Sequence, residues 1–444
     1  MSAEGRPVAA GIDPAVELLK PFHWRIAMLA ALAFGGNGVD LGVVSFALPG
    51  LRAEWDLAPS ELGLVLPAVG LGQCVGAILG GAFGDRFGRR AGFSLASVIA
   101  GAGTGLAAAA PNTTILALAL FVGGLGFGGV APIAGALVSE FSPPSHRGRF
   151  MALTQVAWVL GWCFAALGGG WFEQQLGWRG ILGLGAFPIA IGLVGWLLVP
   201  ESPRYLTARG RRGEAVALAG RLAERHGVVV PLGEPTTPDD SERVGLAELW
   251  SARFRLRTFT LWGTWIAMMA AFSGPVFWLP VLLRDVGSAE ALRISAYVGF
   301  SMLPASLAAM GAIDRFGRRP LILLSLGSAA LGAFAVALGT NAALLVAGAV
   351  AIASGTLAAW PVMLAWVSEQ YPTRMRATAA GWASGMARMG TVAAPAILGL
   401  LLGPNGEGRA VAMLPFALLL SAAVVGCALF GRETAGQSLE ETST

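Results

Sequence analysis

Asp85-Arg86-Phe87-Gly88-Arg89-Arg90 recurs letter for letter in the second half of the chain as Asp314-Arg315-Phe316-Gly317-Arg318-Arg319. A second pattern keeps the same offset: Ser139-Glu140, Pro143 and Arg147 return as Ser368-Glu369, Pro372 and Arg376, and Pro132 returns as Pro361. Several motifs at one spacing mark a duplicated half rather than a chance match. Each charged motif stands between long apolar runs. A duplicated apolar chain with short basic punctuation is the sequence form of a two-halved secondary transporter.

Composition supports that reading. The 444 residues are 55% hydrophobic and 13% charged, with a mean hydropathy of +0.68. A soluble domain carries about 25% charged residues, so this chain lacks the polar surface to dissolve, and the lipid bilayer is its solvent. The 63 glycines suit membrane helices, whose association depends on close backbone approach. The net charge of +4 does not point to nucleic acid, because the basic residues are punctuation between spans. Cys74, Cys163 and Cys427 fall inside apolar runs with no metal-ligand spacing. No nucleophile–base pair, phosphate loop or metal cluster occurs, and His23, His146 and His226 sit near span edges or loops. The chain reads as neither an enzyme nor a cofactor or metal protein.

A spanning helix needs about 20 apolar residues, which predicts twelve spans. They run over 25–49, 62–83, 92–110, 114–141, 150–172 and 179–199 in the first half, and 258–283, 291–313, 320–339, 342–371, 378–401 and 410–431 in the second. The expected fold is an all-α membrane protein of two pseudo-symmetric six-helix bundles. Its parts are an N-terminal segment (1–24), a first bundle (25–199), a central loop (200–257), a second bundle (258–431) and a tail (432–444). Residues 210–226 read as an amphipathic helix and 231–242 as a linker. With residue 1 in the cytoplasm, five of the 30 Lys and Arg fall outside (Arg52, Arg179, Arg284, Arg293, Arg409) and Arg388 falls within a span, leaving 24 inside. The excess of basic residues on cytoplasmic loops therefore puts both termini in the cytoplasm. Gly72, Gly76, Gly80 and Gly84 form a bare stripe for a tight helix seam, with Ser301, Ala305, Ala309 and Ile313 at the shifted positions.

The charged loops offer a cytoplasmic gate. Its expected members are Asp85, Arg86, Arg89, Arg90, Glu140, Arg147, Glu201 and Arg204, with Asp314, Arg315, Arg318, Arg319, Glu369 and Arg376 in the second half. Asp85 is placed to accept from a neighbouring helix N-terminus or from an arginine of the partner half. Arg89 and Arg90 are placed to pair with carboxylates such as Glu140 and Glu369. Exposed pairs contribute only about 0–1 kcal/mol each, which suits a latch that must reopen.

Within the spans, Asp40 and Arg388 stand out as charges. An ion at the bilayer centre costs at least about 2.5–3.5 kcal/mol on insertion scales, so it needs a partner or a water-filled cavity. Asp40 is expected to face a central cavity and relay protons; the alternative is a helix-end residue near the outer surface. Arg388 cannot give up its proton, and its planar fork matches a carboxylate. It is suited to bind an anion or to pair structurally with Asp40 or a backbone carbonyl. Trp158, Trp162, Trp278, Trp360, Trp366 and Trp382 lie deep in spans and, with Arg388, suit a flat aromatic monocarboxylate. Asn37, Gln155 and Thr264 are positioned to add neutral hydrogen bonds.

Gly81-x-x-x-Asp85-Arg86-x-Gly88-Arg89-Arg90 resembles the signature loop of the major facilitator superfamily. Pro200-Glu201-Ser202-Pro203-Arg204-Tyr205-Leu206 resembles the end of the sixth span of sugar porters, and 432–441 is similar to the tail of that group and its organic-ion relatives. Asn37-Gly38-Val39-Asp40 resembles the Asp-Gly-x-Asp box of aromatic-acid:proton symporters. Trp158–Trp162, and Gly381-Trp382-Ala383 with Arg388-Met389-Gly390 and Pro395, resemble the fifth and eleventh spans of nicotinate and benzoate carriers. The box departs at Asn37, the fourth span carries Leu120 where relatives have Arg, and Met310 replaces the leading glycine of the second loop. The resemblance implies a monomeric plasma-membrane carrier working by alternating access, with a small organic acid and protons as its partners. A sugar or polyol porter is the alternative, and a sensor that binds without translocating is a third class.

Overall fold

In the computed structural model the described residues are 20–143, 146–226, 246–283, 288–371, 373–403 and 408–434. The expected linker 231–242, most of the N-terminal segment and most of the tail lie outside them, as do the side chains of Arg147 and Arg376.

The chain is almost wholly helical. The first half holds α1 (Pro21–Trp55), α2 (Pro59–Val65), α3 (Pro67–Phe87), α4 (Arg89–Ala107), α5 (Thr113–Phe141), α6 (Arg147–Gly183) and α7 (Phe187–Leu198). Three short helices follow: α8 (Pro203–Ala208), the expected amphipathic α9 (Arg212–His226) and α10 (Leu246–Leu249). The second half holds α11 (Arg255–Ala271), α12 (Leu279–Leu282), α13 (Ser288–Phe316), α14 (Arg318–Leu338), α15 (Ala342–Glu369), α16 (Thr373–Leu401) and α17 (Arg409–Phe430).

Ten stretches among the described residues are by themselves long and apolar enough to cross a bilayer. The other two members of the twelve-helix fold differ for local reasons. α4 opens on two arginines and is rich in glycine and serine. The seventh span, expected to be continuous over 258–283, is broken: α11 has 17 residues and passes through a π-type turn, Phe272–Val276, before α12. Pro275 inside that turn has no N–H to give and its ring crowds the preceding turn, so the regular ladder cannot continue. Between the fifth and sixth spans there is no loop. The backbone turns within α6 at Gly177, whose φ of 63° few other residues adopt without strain.

The duplication is visible in the packing. α1 packs on α6, α3 and α4 on α5, and α4 on α7; the second half repeats each pair as α11 on α16, α13 and α14 on α15, and α14 on α17. Asn112 caps α5 by accepting from Ile115 N at 2.9 Å, and Asn341, at the equivalent position of the repeat, caps α15 through Leu344 N at 2.9 Å. The halves meet crosswise, α6 on α13 and α2 and α3 on α16. Their contacts include Ser45 Oγ donating to Phe277 O at 2.6 Å, Gly63 beside Gly399, and Gly299 beside Trp162. All of these lie toward the end remote from the charged loops.

Small residues set these seams. The Gly72–Gly84 stripe lies along α5, and its counterpart Ser301 hydrogen-bonds Ser354 at 2.8 Å. Gly38 on α1 rests on the backbone of Trp158, where any Cβ would run into the Trp158 carbonyl. Gly38→Val is expected to force α1 and α6 apart and to cost about 1–3 kcal/mol, the usual range for overpacking. Thermal melting of the purified protein in detergent should show a lowered Tm; an unchanged Tm would contradict the seam.

Candidate functional site

A cavity of about 250 Å³ lies between the halves. Five of the residues expected at a binding site reach its wall: Asn37, Gln155, Trp158, Trp360 and Arg388. Phe34, Phe127, Phe272, Phe277 and Met269 make it apolar and ring-lined. Trp265 and Trp360 meet edge to face at 5.5 Å, and Trp158 packs on Phe272 at 5.6 Å.

Arg388, Trp158, Trp265 and Trp360 of the wall can only donate, whereas its amides and hydroxyls can donate or accept. Arg388 Nη1 donates to Gln73 Oε1 at 3.5 Å, across the two halves, and makes no ion pair among the described residues. Gln73 Nε2, Trp265 Nε1 and Trp360 Nε1 are buried without a hydrogen-bond partner among those residues. Trp158 Nε1 donates to Asn37 Oδ1 at 2.9 Å. Gln73, Trp265, Ser273, Thr356, Ser384 and Thr391 line the wall and were not expected from sequence. Gln73, an amide inside an apolar span between glycines, carried a readable signal. The threonines and serines did not, because such residues usually return their hydroxyl to the helix, as Thr356 does to Ile352 O.

Other expected residues lie elsewhere. Asp40 does not line the cavity. It is 1% exposed and accepts a hydrogen bond from Thr104 of α4. Three residues beyond Asn37, it is turned about 60° round the helix, from the cavity toward α4. It does not meet Arg388 in an ion pair. Trp162 is buried behind Trp158, 6.0 Å away and nearly parallel to it. Trp278 is fully buried. Trp366 donates to Arg432 O at 2.8 Å near the charged loops, and Trp382 is 44% exposed and lies parallel to Trp262. Thr264 bonds Thr260 O and Cys427 Sγ. For Asp40 the angular position on the helix decides the environment, whereas Trp366 is set apart by lying at the charged-loop end of its helix.

The charged loops form one cluster in each half. Arg89 pairs with Asp85 at 2.8 Å and approaches Glu140 at 3.5 Å; Arg318 pairs with Asp314 at 3.3 Å and forks onto Glu369 at 2.9–3.2 Å. Asp85, expected to accept from a helix N-terminus or from an arginine of the partner half, here pairs with Arg89 at the start of the next helix. Glu201 holds that helix start, accepting from Arg89 N at 2.7 Å and Arg90 N at 3.4 Å, and Glu433 does the same for Arg318 N and Arg319 N, both at 2.9 Å. A carboxylate there meets unpaired N–H groups and the positive end of the helix dipole. Gly88 (φ 104°) and Gly317 (φ 85°) are required twice, by their backbone and because a Cβ would strike the Glu201 or Glu433 carboxylate. Arg90 and Arg319 do not meet carboxylates of the described residues through their guanidinium groups. Arg90 donates to Trp196 O at 2.6 Å, and Arg319 to the carbonyls of Cys427 and Ala428. The Arg86 and Arg315 guanidinium groups lie over Phe87 and Phe316, and Arg204 is exposed.

Comparison with known proteins agrees with this architecture. Residues 38–444 match the family described as sugar (and other) transporter. The niacin transporter NiaP of Acinetobacter baylyi is 32% identical, over 94% of this chain and 96% of that one. The 4-hydroxybenzoate transporter PcaK of the same organism is 29% identical, over 93% and 91%. Among solved structures, the inward-open xylose transporter XylE from E. coli superposes with a TM-score of 0.73 at 20% identity, covering 95% of this chain and 99% of that one, which shows a common fold. With its duplicated six-helix halves enclosing a central cavity, this chain belongs to the sugar (and other) transporter family of the major facilitator superfamily, and is a multi-pass membrane transporter of small molecules rather than an enzyme.

Proposed function

We propose that this protein carries a small aromatic monocarboxylate through the plasma membrane as a monomer, by alternating access coupled to protons through Asp40. The observation that carries the substrate class is the polarity of the cavity wall. Among the described residues its one charge is the Arg388 cation, which makes no ion pair with any of them. A carboxylate is acceptor-only, and its two oxygens match the planar fork of a guanidinium, whereas a neutral sugar gains no charge pairing from it. The flanking rings suit a flat apolar body. The names of the similar niacin and 4-hydroxybenzoate transporters accord with this reading.

The charged loops and both termini are assigned to the cytoplasm, because most of the Lys and Arg residues cluster at the loop end of the spans while few, such as Arg179 and Arg293, lie at the other end. On that orientation the halves are closed at the outer side and the cavity faces inward. The two arginine–glutamate clusters, with Glu201 and Glu433 on the helix starts, then serve as stiff cytoplasmic ends that come together when the carrier turns outward.

Cells expressing the protein are expected to take up labelled nicotinate or benzoate, to lose that accumulation with a protonophore, and not to accumulate glucose. Glucose uptake without carboxylate uptake would overturn the substrate class. Binding with no counterflow would reassign the protein as a sensor.

A further inference from the structure

Asn37 and Trp158 form a hydrogen-bonded pair in the cavity wall whose polarity is settled by chemistry. An indole N–H is a donor and never an acceptor. The Trp158 Nε1 to Asn37 contact at 2.9 Å therefore fixes the amide oxygen of Asn37 toward the tryptophan. The amide nitrogen is left as the free edge of a half-buried residue that lines the cavity, and it makes no hydrogen bond among the described residues. Trp158 is itself held by Phe272 at 5.6 Å and Trp162 at 6.0 Å, so the amide cannot exchange its ends by a small rotation without losing this bond.

Asn37 thus offers a donor at the cavity wall, separate from the Arg388 guanidinium. An asparagine free to flip would accept or donate as the ligand required. An aspartate at this position would only accept. Held by Trp158, Asn37 keeps its N–H edge as the unoccupied one.

Resting on the carboxylate reading above, we infer that Asn37, oriented by Trp158, is a second polar subsite that selects carboxylates bearing an acceptor atom on the ring, such as a pyridine nitrogen, over all-carbon rings. A ring nitrogen loses its water on entering an apolar cavity and regains a hydrogen bond from Asn37 Nδ2. A plain benzene ring leaves that N–H unpaired, and an unpaired buried donor costs more than a made bond yields.

The test is equilibrium binding to the purified full chain of three unmodified probes, nicotinate, isonicotinate and benzoate, followed by tryptophan fluorescence and checked by competition. The wild type should bind the better pyridine carboxylate roughly three- to tenfold more tightly than benzoate, the factor of one neutral hydrogen bond. Asn37→Leu should bring that ratio to one or below, because the ring nitrogen is then dehydrated without return. Trp158→Phe keeps an aromatic wall but frees the amide to turn, so the ratio should narrow toward one while Asn37 is still present. A structural role alone would weaken all three ligands together and leave the ratio unmoved. Equal affinity of the wild type for benzoate and both pyridine carboxylates would overturn the subsite, as would a ratio unchanged in both variants, and in either case Arg388-dependent carboxylate binding would still stand. Failure of all three probes to bind would overturn the carboxylate reading and this inference with it.

Discussion

Arg388→Ala is expected to weaken binding of a monocarboxylate by about 30-fold to several thousand-fold. Truncating one partner of an enclosed, hydrogen-bonded charge pair costs about 2–5 kcal/mol, at 1.4 kcal/mol per factor of ten. The upper part of that range applies because, among the described residues, no other cation lines the cavity to take over. Gln73 would keep its amide nitrogen and lose its contact to the arginine. Arg388→Lys restores charge without the planar fork, and should recover only part of the loss because an ammonium cannot hold both carboxylate oxygens in plane. Titration of the purified variants with nicotinate or benzoate measures the effect. Wild-type affinity in Arg388→Ala would remove the anion site.

Asp40→Asn is expected to abolish proton-driven accumulation while leaving exchange of internal for external substrate. Asparagine has nearly the same shape and can still accept from the Thr104 hydroxyl, so the α1–α4 contact survives. It has no proton to exchange near neutral pH. Because Asp40 lies off the cavity, the substitution removes no ligand contact, and the affinity for the carboxylate should change little. Proteoliposomes with an imposed pH gradient separate the two activities. Accumulation driven by the gradient in Asp40→Asn liposomes would exclude this carboxyl as the coupling group.

The duplication is legible because membrane spans and their basic loops are written in long, low-complexity strokes. One turn of slippage does not erase them. The repeated hexamer locates both loops, and the acids expected near them, Glu140 and Glu369, lie beside Arg89 and Arg318. The companion carboxylates are harder to find. Glu201 and Glu433 perform the same task in the two halves, but their spacing along the chain overshoots the offset of the hexamers. A register search therefore passes over the pair, although each follows the end of its bundle's last helix.

The binding wall divides differently. Arg388 can be singled out from its type alone, because a permanent cation inside a span has few bland explanations. Tryptophans carry no such mark, and depth in a span says nothing about the direction in which an indole points. Trp158 and Trp360 reach the cavity while Trp278 and Trp366 are closed within packed helices.

Class, the two-halved helical plan and the presence of a cation within a span follow from composition and repetition, since the cost of polar groups in hydrocarbon acts on every residue regardless of its neighbours. Which residues share the chamber depends on rotation about each helix axis and on how closely two backbones approach. Asn37 and Asp40 are three positions apart, yet one lines the cavity and the other touches Thr104 of a neighbouring helix. Gln73 and Arg388, from opposite halves of the chain, meet across the cavity. Those directions are set by glycine seams and side-chain packing summed over the whole bundle, a balance that no local stretch of residues contains.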